Sequence, residues 1–150
     1  MSNANSRLTE IKVSYRKQKP FDMKITCSND AAGILRSLYN KETIELLEQF
    51  YVLYLNRANH IIGYFEMSKG GLTGTIADIR VILGIALKSA ATGIILSHNH
   101  PSGNLTPSIQ DKELTSKISE AARFMDIRIL DHLILCSNNK YLSMADEGMM

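Results

Sequence analysis

The chain has 150 residues, a length that fits one domain with one hydrophobic core. Hydrophobic residues make up 45% of it and charged residues 21%, which excludes an intrinsically disordered or fibrous protein. Seventeen basic and fifteen acidic residues give a formal net charge of +2, so charge alone does not indicate a nucleic-acid-binding protein. Tryptophan is absent and the aromatic residues are scattered, so no platform for stacked bases is predicted.

The N-terminal residues differ in character from the rest of the chain. Residues 1–25 are polar and basic, residues 2–4 resemble a cloning remnant, and we expect this segment to be partly tag-derived and flexible. Residues 26–150 are expected to form the folded domain. No cationic stretch leads into an apolar block, and Cys27 and Cys136 have no nearby cysteine or histidine partner. We therefore expect a cytoplasmic protein with two reduced thiols.

Patterns in the first half predict a helix followed by a β-hairpin. Apolar residues at helical spacing follow a capping sequence, and two β-favouring runs flank a short polar turn. The predicted segments are a helix capped by residues 28–30, a short helical segment at 43–47, a strand at 50–55, a turn at 56–59, a strand at 61–67 and a glycine-containing flexible loop at 70–74.

Helices and strands alternate in the second half. Residues 81–97 are too short and too polar to span a membrane, and they are predicted to be a helix followed by a strand. The predicted segments are a helix capped by Asp78, a strand at 93–96, a helix with Thr106 as N-cap and Pro107 as its first residue, and strands at 127–136 and 141–144. The third helix is predicted to bury Leu114, Ile118, Ala121, Ala122 and Met125. We expect a single-domain α/β, three-layer-like sandwich with a mixed β-sheet flanked by helices.

Two histidines and a carboxylate are predicted to meet beside the third helix. His98 and His100 lie two residues apart after a buried strand, so both imidazoles project to the same side of an extended chain. Asp111 falls on the apolar stripe of the predicted helix, and a carboxylate aimed at a core needs a partner. A divalent cation held by the two imidazoles would supply one. Ser108, one turn earlier, would border the same site.

Two histidines and one carboxylate leave an open coordination position, which is typical of catalytic zinc. Such a metal lowers the pKa of a bound water to about 7 and polarises a carbonyl, and a general base is then needed nearby. Three alternatives stay open at this point. The histidines could be ordinary loop residues, Asp111 could be a helix-capping acid, and the same ligand set could hold iron for oxygen chemistry.

The segment resembles the motif of the JAMM (MPN+) metalloproteases, in which His-x-His-Pro is followed by Ser-x-x-Asp. His98, His100, Pro101, Ser108 and Asp111 match that spacing without a gap. Residues 98–103, and the Asp-His pair at 131–132 in a late strand, are similar to the RadC-like bacterial branch, and the resemblance covers roughly residues 30–144.

The resemblance implies a JAMM/MPN, cytidine-deaminase-like domain over residues 26–150. It implies one zinc ion per chain held by His98, His100 and Asp111, with Ser108 steadying the tetrahedral intermediate. The family also has an upstream glutamate that acts through the metal-bound water, and Glu48 is its match before the first strand. Without the resemblance, Glu42 and Glu45 are equal candidates.

The leading hypothesis is a zinc-dependent hydrolase that cleaves peptide or isopeptide bonds through a metal-activated water. Asn99 stands between the histidines where eukaryotic deubiquitinating members carry Ser or Thr, so a ubiquitin-type substrate is not assumed. A DNA repair or recombination factor, suggested by the RadC name alone, and a non-catalytic interaction module are the alternatives. His132 is expected to be a core histidine or one that supports a ligand, and His60 a surface hairpin residue.

Overall fold

The protein is described here by a computed structural model covering residues 8–12, 14, 16, 22–69 and 77–150. Three helices and five strands lie in these described residues. In chain order they are α1 (Ser28–Leu38), β1 (Gln49–Leu55), β2 (Ile61–Lys69), α2 (Ile79–Lys88), β3 (Gly93–Asn99), α3 (Ile109–Arg123), β4 (Arg128–Leu135) and β5 (Tyr141–Ser143).

The strands form one mixed sheet in the order β2-β1-β3-β4-β5. The central pair β3 and β4 is parallel and is connected through α3, whereas the other pairs are antiparallel. Parallel neighbours require a crossover, and here the crossover helix α3 begins just after the carboxyl end of β3. This connection brings the start of α3 close to the end of β3, where the candidate site lies.

Strands β1 and β3 are buried on both faces, because helices cover each side of the sheet. Every residue of β1 and β3 is buried. Side chains alternate along β1, so that one set packs with α1 and the other with α2 and α3. This confirms the predicted α/β class and its three layers, since a sheet covered on both faces has continuously apolar strands.

Two helix starts illustrate how local hydrogen bonds set the boundaries. As predicted, Asp78 caps α2, and its carboxylate accepts a hydrogen bond from the backbone N–H of Arg80 at 2.9 Å. The prediction for α1 was one residue late, because Cys27 is the N-cap. Asp30 occupies the third helical position, and its carboxylate accepts from the backbone N–H groups of Thr26 and Cys27 at 2.9 and 3.3 Å.

The predicted start of α3 is wrong. The N-cap is Ser108, and Thr106 and Pro107 precede the helix. Ser108 and Asp111 satisfy each other's backbone N–H groups, and this reciprocal capping box fixes the start two residues later than predicted. At the other end α3 stops at Arg123, so Met125 lies outside the apolar stripe and is 43% exposed.

Other boundaries differ in smaller ways. The predicted helical segment at 43–47 is a pair of hydrogen-bonded turns, with Ile44 N–H to Asn40 O at 2.9 Å and Leu47 N–H to Thr43 O at 2.8 Å. Strand β3 continues three residues beyond the predicted end, so that His98 lies within it. The glycines at 70, 71 and 74, and much of the predicted N-terminal segment, fall outside the described residues.

Two further expectations concern the thiols and the membrane. Both cysteines are free; Cys27 is exposed and Cys136 is buried in the core. Among the helices of the described residues, none combines the length and the apolar character that crossing a bilayer requires. The cytoplasmic location stays a prediction.

Candidate metal centre

His98 is held rigidly at the carboxyl end of β3. Its side chain is 1% exposed, and its ring lies parallel to that of Phe50 on β1, with centroids 6.0 Å apart. His100 follows the strand, where its backbone N–H donates to Leu135 O at 3.0 Å. Its side chain is 17% exposed, so the two imidazoles meet at the boundary between the core and solvent.

Three donor atoms converge at this boundary. The Nε2 atoms of His98 and His100 are 2.9 Å apart. The carboxylate of Asp111 places Oδ1 3.3 Å from His98 Nε2 and Oδ2 3.6 Å from His100 Nε2. The residues that the sequence singled out as ligands are therefore neighbours, and they form a group that could hold a metal ion.

The spacing of these atoms fits a small tetrahedral cation. Zinc bound at about 2.0–2.1 Å in tetrahedral geometry separates its ligand atoms from one another by about 3.3 Å. The two imidazole nitrogens are 2.9 Å apart, and the nearest carboxylate oxygen of Asp111 is 3.3 Å from His98 and 3.6 Å from His100, Oδ1 and Oδ2 respectively, so the separations lie close to that value. The donors are two imidazole nitrogens and one carboxylate oxygen, which is a set suited to zinc with a coordination position left over.

Asp111 has two roles at once. Its Oδ2 accepts from the backbone N–H of Ser108 at 2.7 Å, while the Ser108 Oγ accepts from the Asp111 N–H at 3.1 Å. The reading of Asp111 as a capping acid is thus correct, and it is compatible with the ligand reading because Oδ1 still faces His98. Capping fixes the carboxylate relative to the helix, and the Ser108 hydroxyl keeps its hydrogen available to donate outward.

The charges of Asp111 and the imidazoles favour a bound positive charge in the site, either a proton or a metal cation. Burial would raise the pKa of Asp111, but the contacts of its carboxylate with His100 and His98 outweigh that effect and hold the pKa far below its usual range. The bond to Asp111 raises the pKa of His100 against the opposing effect of burial, and the charge of Glu48 adds to the increase. His100 and Asp111 therefore stabilise each other's charged forms at the place where a metal would sit.

A buried chain of hydrogen bonds determines which nitrogen of His98 carries its proton. Thr115 Oγ1 donates its single hydrogen to the Asp111 carbonyl at 2.6 Å, so it must accept from His132 Nδ1, also at 2.6 Å. Burial lowers the pKa of His132 well below its usual value, so the ring is neutral and its Nε2 is an acceptor. That Nε2 lies 2.8 Å from His98 Nδ1, which therefore donates. In this tautomer the lone pair of His98 Nε2 faces the site, 2.9 Å from His100 Nε2.

His100 is oriented by a separate contact. Its Nδ1 donates to the backbone carbonyl of Asn104 in the loop between β3 and α3. A neutral His100 with its proton on Nδ1 also presents the Nε2 lone pair to the site. Both imidazoles are thus held in the tautomer that a metal ligand requires.

We expect Thr115→Val to weaken this arrangement while keeping the side-chain volume. Thr115 is 3% exposed, and its loss leaves the His132 N–H and the Asp111 carbonyl without their partner. The expected cost is about 1–3 kcal/mol in the free energy of unfolding and roughly 10–100-fold in metal affinity. Urea titration and metal competition measure the two effects. Ser116→Ala, at the next and exposed position of α3, is the control, and equal behaviour of both variants would contradict the hydrogen-bond assignment.

Glu48 lies near His100, one of the three ligand candidates. It lines an open cleft of about 520 Å³ together with His100, Pro101 and Ser102. Its charge also adds to the raised pKa of His100, after the larger effects of Asp111 and Asn104. Glu45 also lines the cleft, but its carboxylate accepts a hydrogen bond from Ser137 Oγ at 2.5 Å. Both acids line the cleft, and the assignment of Glu48 as the acid that acts at the ligand group stays a prediction.

Asn99 points to the opposite face of the sheet from the two histidines and is completely buried. Its Oδ1 accepts from the backbone N–H of Gln49 at 2.7 Å. Its Nδ2 donates to the carbonyls of Ile44 and Leu47 at 2.7 and 2.9 Å. The residue between the histidines is therefore bonded to the segment that carries Glu48.

Sequence reasoning missed Thr115 and the internal contacts of Asn99. Thr115 follows Asp111 by four residues, so helical spacing places both on one face, and this signal was present in the sequence. The alternation of a strand likewise directs Asn99 away from the histidines. What these side chains contact depends on elements distant in sequence. His132 supports His98 as expected, and His60 lies at the start of the hairpin's second arm, away from the site.

Comparisons with known proteins agree with this architecture. The sequence profile described as the RadC-like JAB domain matches residues 25–149. A UPF0758 protein of Flavobacterium johnsoniae is 44% identical over 138 residues, covering 89% of this chain and 58% of that protein. A UPF0758 protein of Salinibacter ruber is 35% identical over 139 residues, covering 93% of this chain and 58% of that protein. The chain therefore spans somewhat more than half the length of these curated relatives. From its fold, its site and these matches, the chain belongs to the RadC-like JAB domain family.

Proposed function

We propose that the protein is a zinc-dependent hydrolase of peptide or isopeptide bonds. The observation that carries the proposal is the convergence of one ligand atom each from His98, His100 and Asp111 within 4.8 Å of one another. When bound there, zinc supplies a Lewis acid that lowers the pKa of a water to about 7 and polarises a carbonyl. The remaining chemistry belongs to side chains around the cleft.

Glu48 is the general base and acid of this proposal. As the oxygen of water attacks the carbonyl carbon, the Glu48 carboxylate accepts a proton from that water. Glu48 then returns the proton to the amine nitrogen as the carbon–nitrogen bond breaks. The position of Glu48 on the cleft, near enough to raise the His100 pKa, supports this role.

Ser108 is placed to stabilise the negative charge that develops on the carbonyl oxygen. Its Oγ accepts from the Asp111 N–H, so its hydroxyl hydrogen remains available to donate to a bound substrate. The hydroxyl is exposed and fixed at the first turn of α3, where the helix dipole also favours negative charge.

The cleft is open and can accept an extended chain. Leu46 is 56% exposed at its rim, and polar groups from Ser102, Asn104 and Thr106 line the far side. An apolar contact beside convergent polar groups suits a peptide segment better than a small ion or sugar. The identity of the cleaved protein stays open.

The proposal is tested by zinc analysis combined with a peptide digest. Wild-type protein should retain about one zinc per chain after dialysis. Zinc-loaded protein incubated with a peptide pool from digested cell protein should generate new termini, detected by mass spectrometry. Asp111→Asn, which keeps the capping oxygen but lowers metal affinity, is the control and should give neither result. A wild-type protein without bound zinc would contradict the proposal.

The alternative functions have fewer observations in their favour. The formal net charge of only +2 gives little support to a DNA-associated function. A strongly salt-dependent affinity for DNA would support that function. A non-catalytic interaction module does not need a complete ligand group beside a general base. Iron would fit the same three ligands, and metal analysis separates it from zinc.

A further inference from the structure

Asn99 lies between the two histidines in sequence, yet its side chain points away from them. It is completely buried on the α1 face of the sheet, whereas His98 packs against Phe50 on the opposite face. A polar side chain in such a place is costly unless its hydrogen bonds are satisfied. Asn99 makes three, and each of them goes to the backbone of residues 44–49.

Two of those three bonds hold the residues on either side of Glu48. The amide oxygen of Asn99 accepts from Gln49 N–H at 2.7 Å, and its amide nitrogen donates to Leu47 O at 2.9 Å. The backbone is therefore held on both sides of Glu48. A third bond, to Ile44 O at 2.7 Å, holds the preceding turn. No regular helix or strand fixes this segment between residue 41 and the start of β1, so these bonds are its main tie to β3.

We propose that Asn99 is a positioning residue that sets Glu48 at the correct distance from the ligands His98 and His100. The end of β3 and the residue after it then carry both parts of the site: His98 and His100 on one face and, through Asn99, the Glu48 segment on the other. A displacement of about 1 Å at a catalytic group is enough to lower turnover strongly, so a rigid tie between base and metal ligands has a clear use. This inference rests on the proposed function, because it concerns the base of that reaction.

An amide is the side chain that these contacts require. Two carbonyl oxygens need a donor and one N–H needs an acceptor, and asparagine offers both from a short side chain. Serine is too short to bridge the three groups. Aspartate keeps the acceptor for Gln49 N–H, but it sets a second carboxylate oxygen against the Ile44 and Leu47 carbonyls.

The test uses cobalt as a paramagnetic probe of position. Cobalt-loaded wild type, Asn99→Ser and Asn99→Asp are compared by the pseudocontact shifts of backbone amides. Both variants are expected to change the shifts of residues 44–48, while α3 keeps its wild-type values. Asn99→Ser should also accelerate hydrogen exchange at Gln49 N–H by at least about tenfold, and Asn99→Asp should not. If the serine variant fails to fold, the aspartate variant alone decides the outcome.

A matched control separates positioning from general loss of stability. Ile95→Val changes a buried residue on the same strand and the same face, but it leaves the three hydrogen bonds of Asn99 in place. It should leave the shifts of residues 44–48 unchanged. Cobalt affinity of both Asn99 variants should stay within about threefold of wild type, well below the roughly 10–100-fold loss expected when a partner of a metal ligand is removed.

The outcomes distinguish the two proposals. Cobalt binding with unaltered shifts at residues 44–48 in the Asn99 variants would overturn the positioning role and leave the proposed function standing. Failure of the wild-type protein to bind cobalt or zinc would overturn the proposed function, and the role given to Asn99 would fall with it.

Discussion

Replacing His100 with alanine is expected to lower zinc affinity by more than ~100-fold while the domain stays folded. Removal of a hydrogen-bond partner of a metal ligand already costs roughly 10–100-fold, and the ligand itself contributes more. His100 is the better choice for this experiment because it is 17% exposed and follows β3, whereas His98 is buried in the core. Zinc competition with a chelator of known affinity measures the change.

His60→Ala is the control for that measurement. His60 is also a partly exposed histidine, and it lies in the hairpin, bridged to Lys24 and away from the cleft. Its loss should leave zinc affinity unchanged. Equal zinc binding by the His100→Ala variant and the wild type would show that the ligand group has been misassigned.

Glu48→Gln is expected to lower turnover by roughly 10²–10⁴-fold without loss of the metal. Glutamine has nearly the same shape but cannot accept and return a proton, so binding and folding should persist while the proton transfer fails. The measurement is the rate at which the zinc-loaded variant generates new termini from the peptide pool, together with its zinc content.

Glu45→Gln is the matched comparison for the Glu48 variant. Glu45 is three residues away and lines the same cleft, but its carboxylate is bonded to Ser137. It should retain most of the wild-type turnover. If Glu48→Gln remains active and Glu45→Gln does not, the general base has been assigned to the wrong acid.

The family motif was sufficient to predict most of the candidate site, because the residues of the motif are close in sequence. His98, His100 and Asp111 fall within fourteen residues, and the connection from β3 into α3 brings them together in the structure. Strand alternation and helical spacing were sufficient to place the three on one side. The same local reasoning was off by two residues at the start of α3, because a proline signal competed with a capping box and the capping box prevailed.

Local sequence patterns could not predict contacts between segments that are distant in sequence. Nothing local pairs Asn99 with Gln49, which is 50 residues away, or His98 with His132, which is 34 away. These pairs arise because β1 and β4 are the two neighbours of β3 in the sheet. Strand order depends on how the whole chain buries its apolar faces, and short-range patterns do not specify it.

Composition and charge alone describe an ordinary globular chain of 150 residues with a net charge of +2 and one core. The sequence by itself also determined the class of fold and the ligand candidates, since both depend on periodicities of two and 3.6 residues. Only the tertiary structure decided how those ligands are oriented. The tautomer of His98 depends on His132 and Thr115, and the position of Glu48 depends on Asn99. Buried polar groups must find partners, and folding brings those partners from remote parts of the chain.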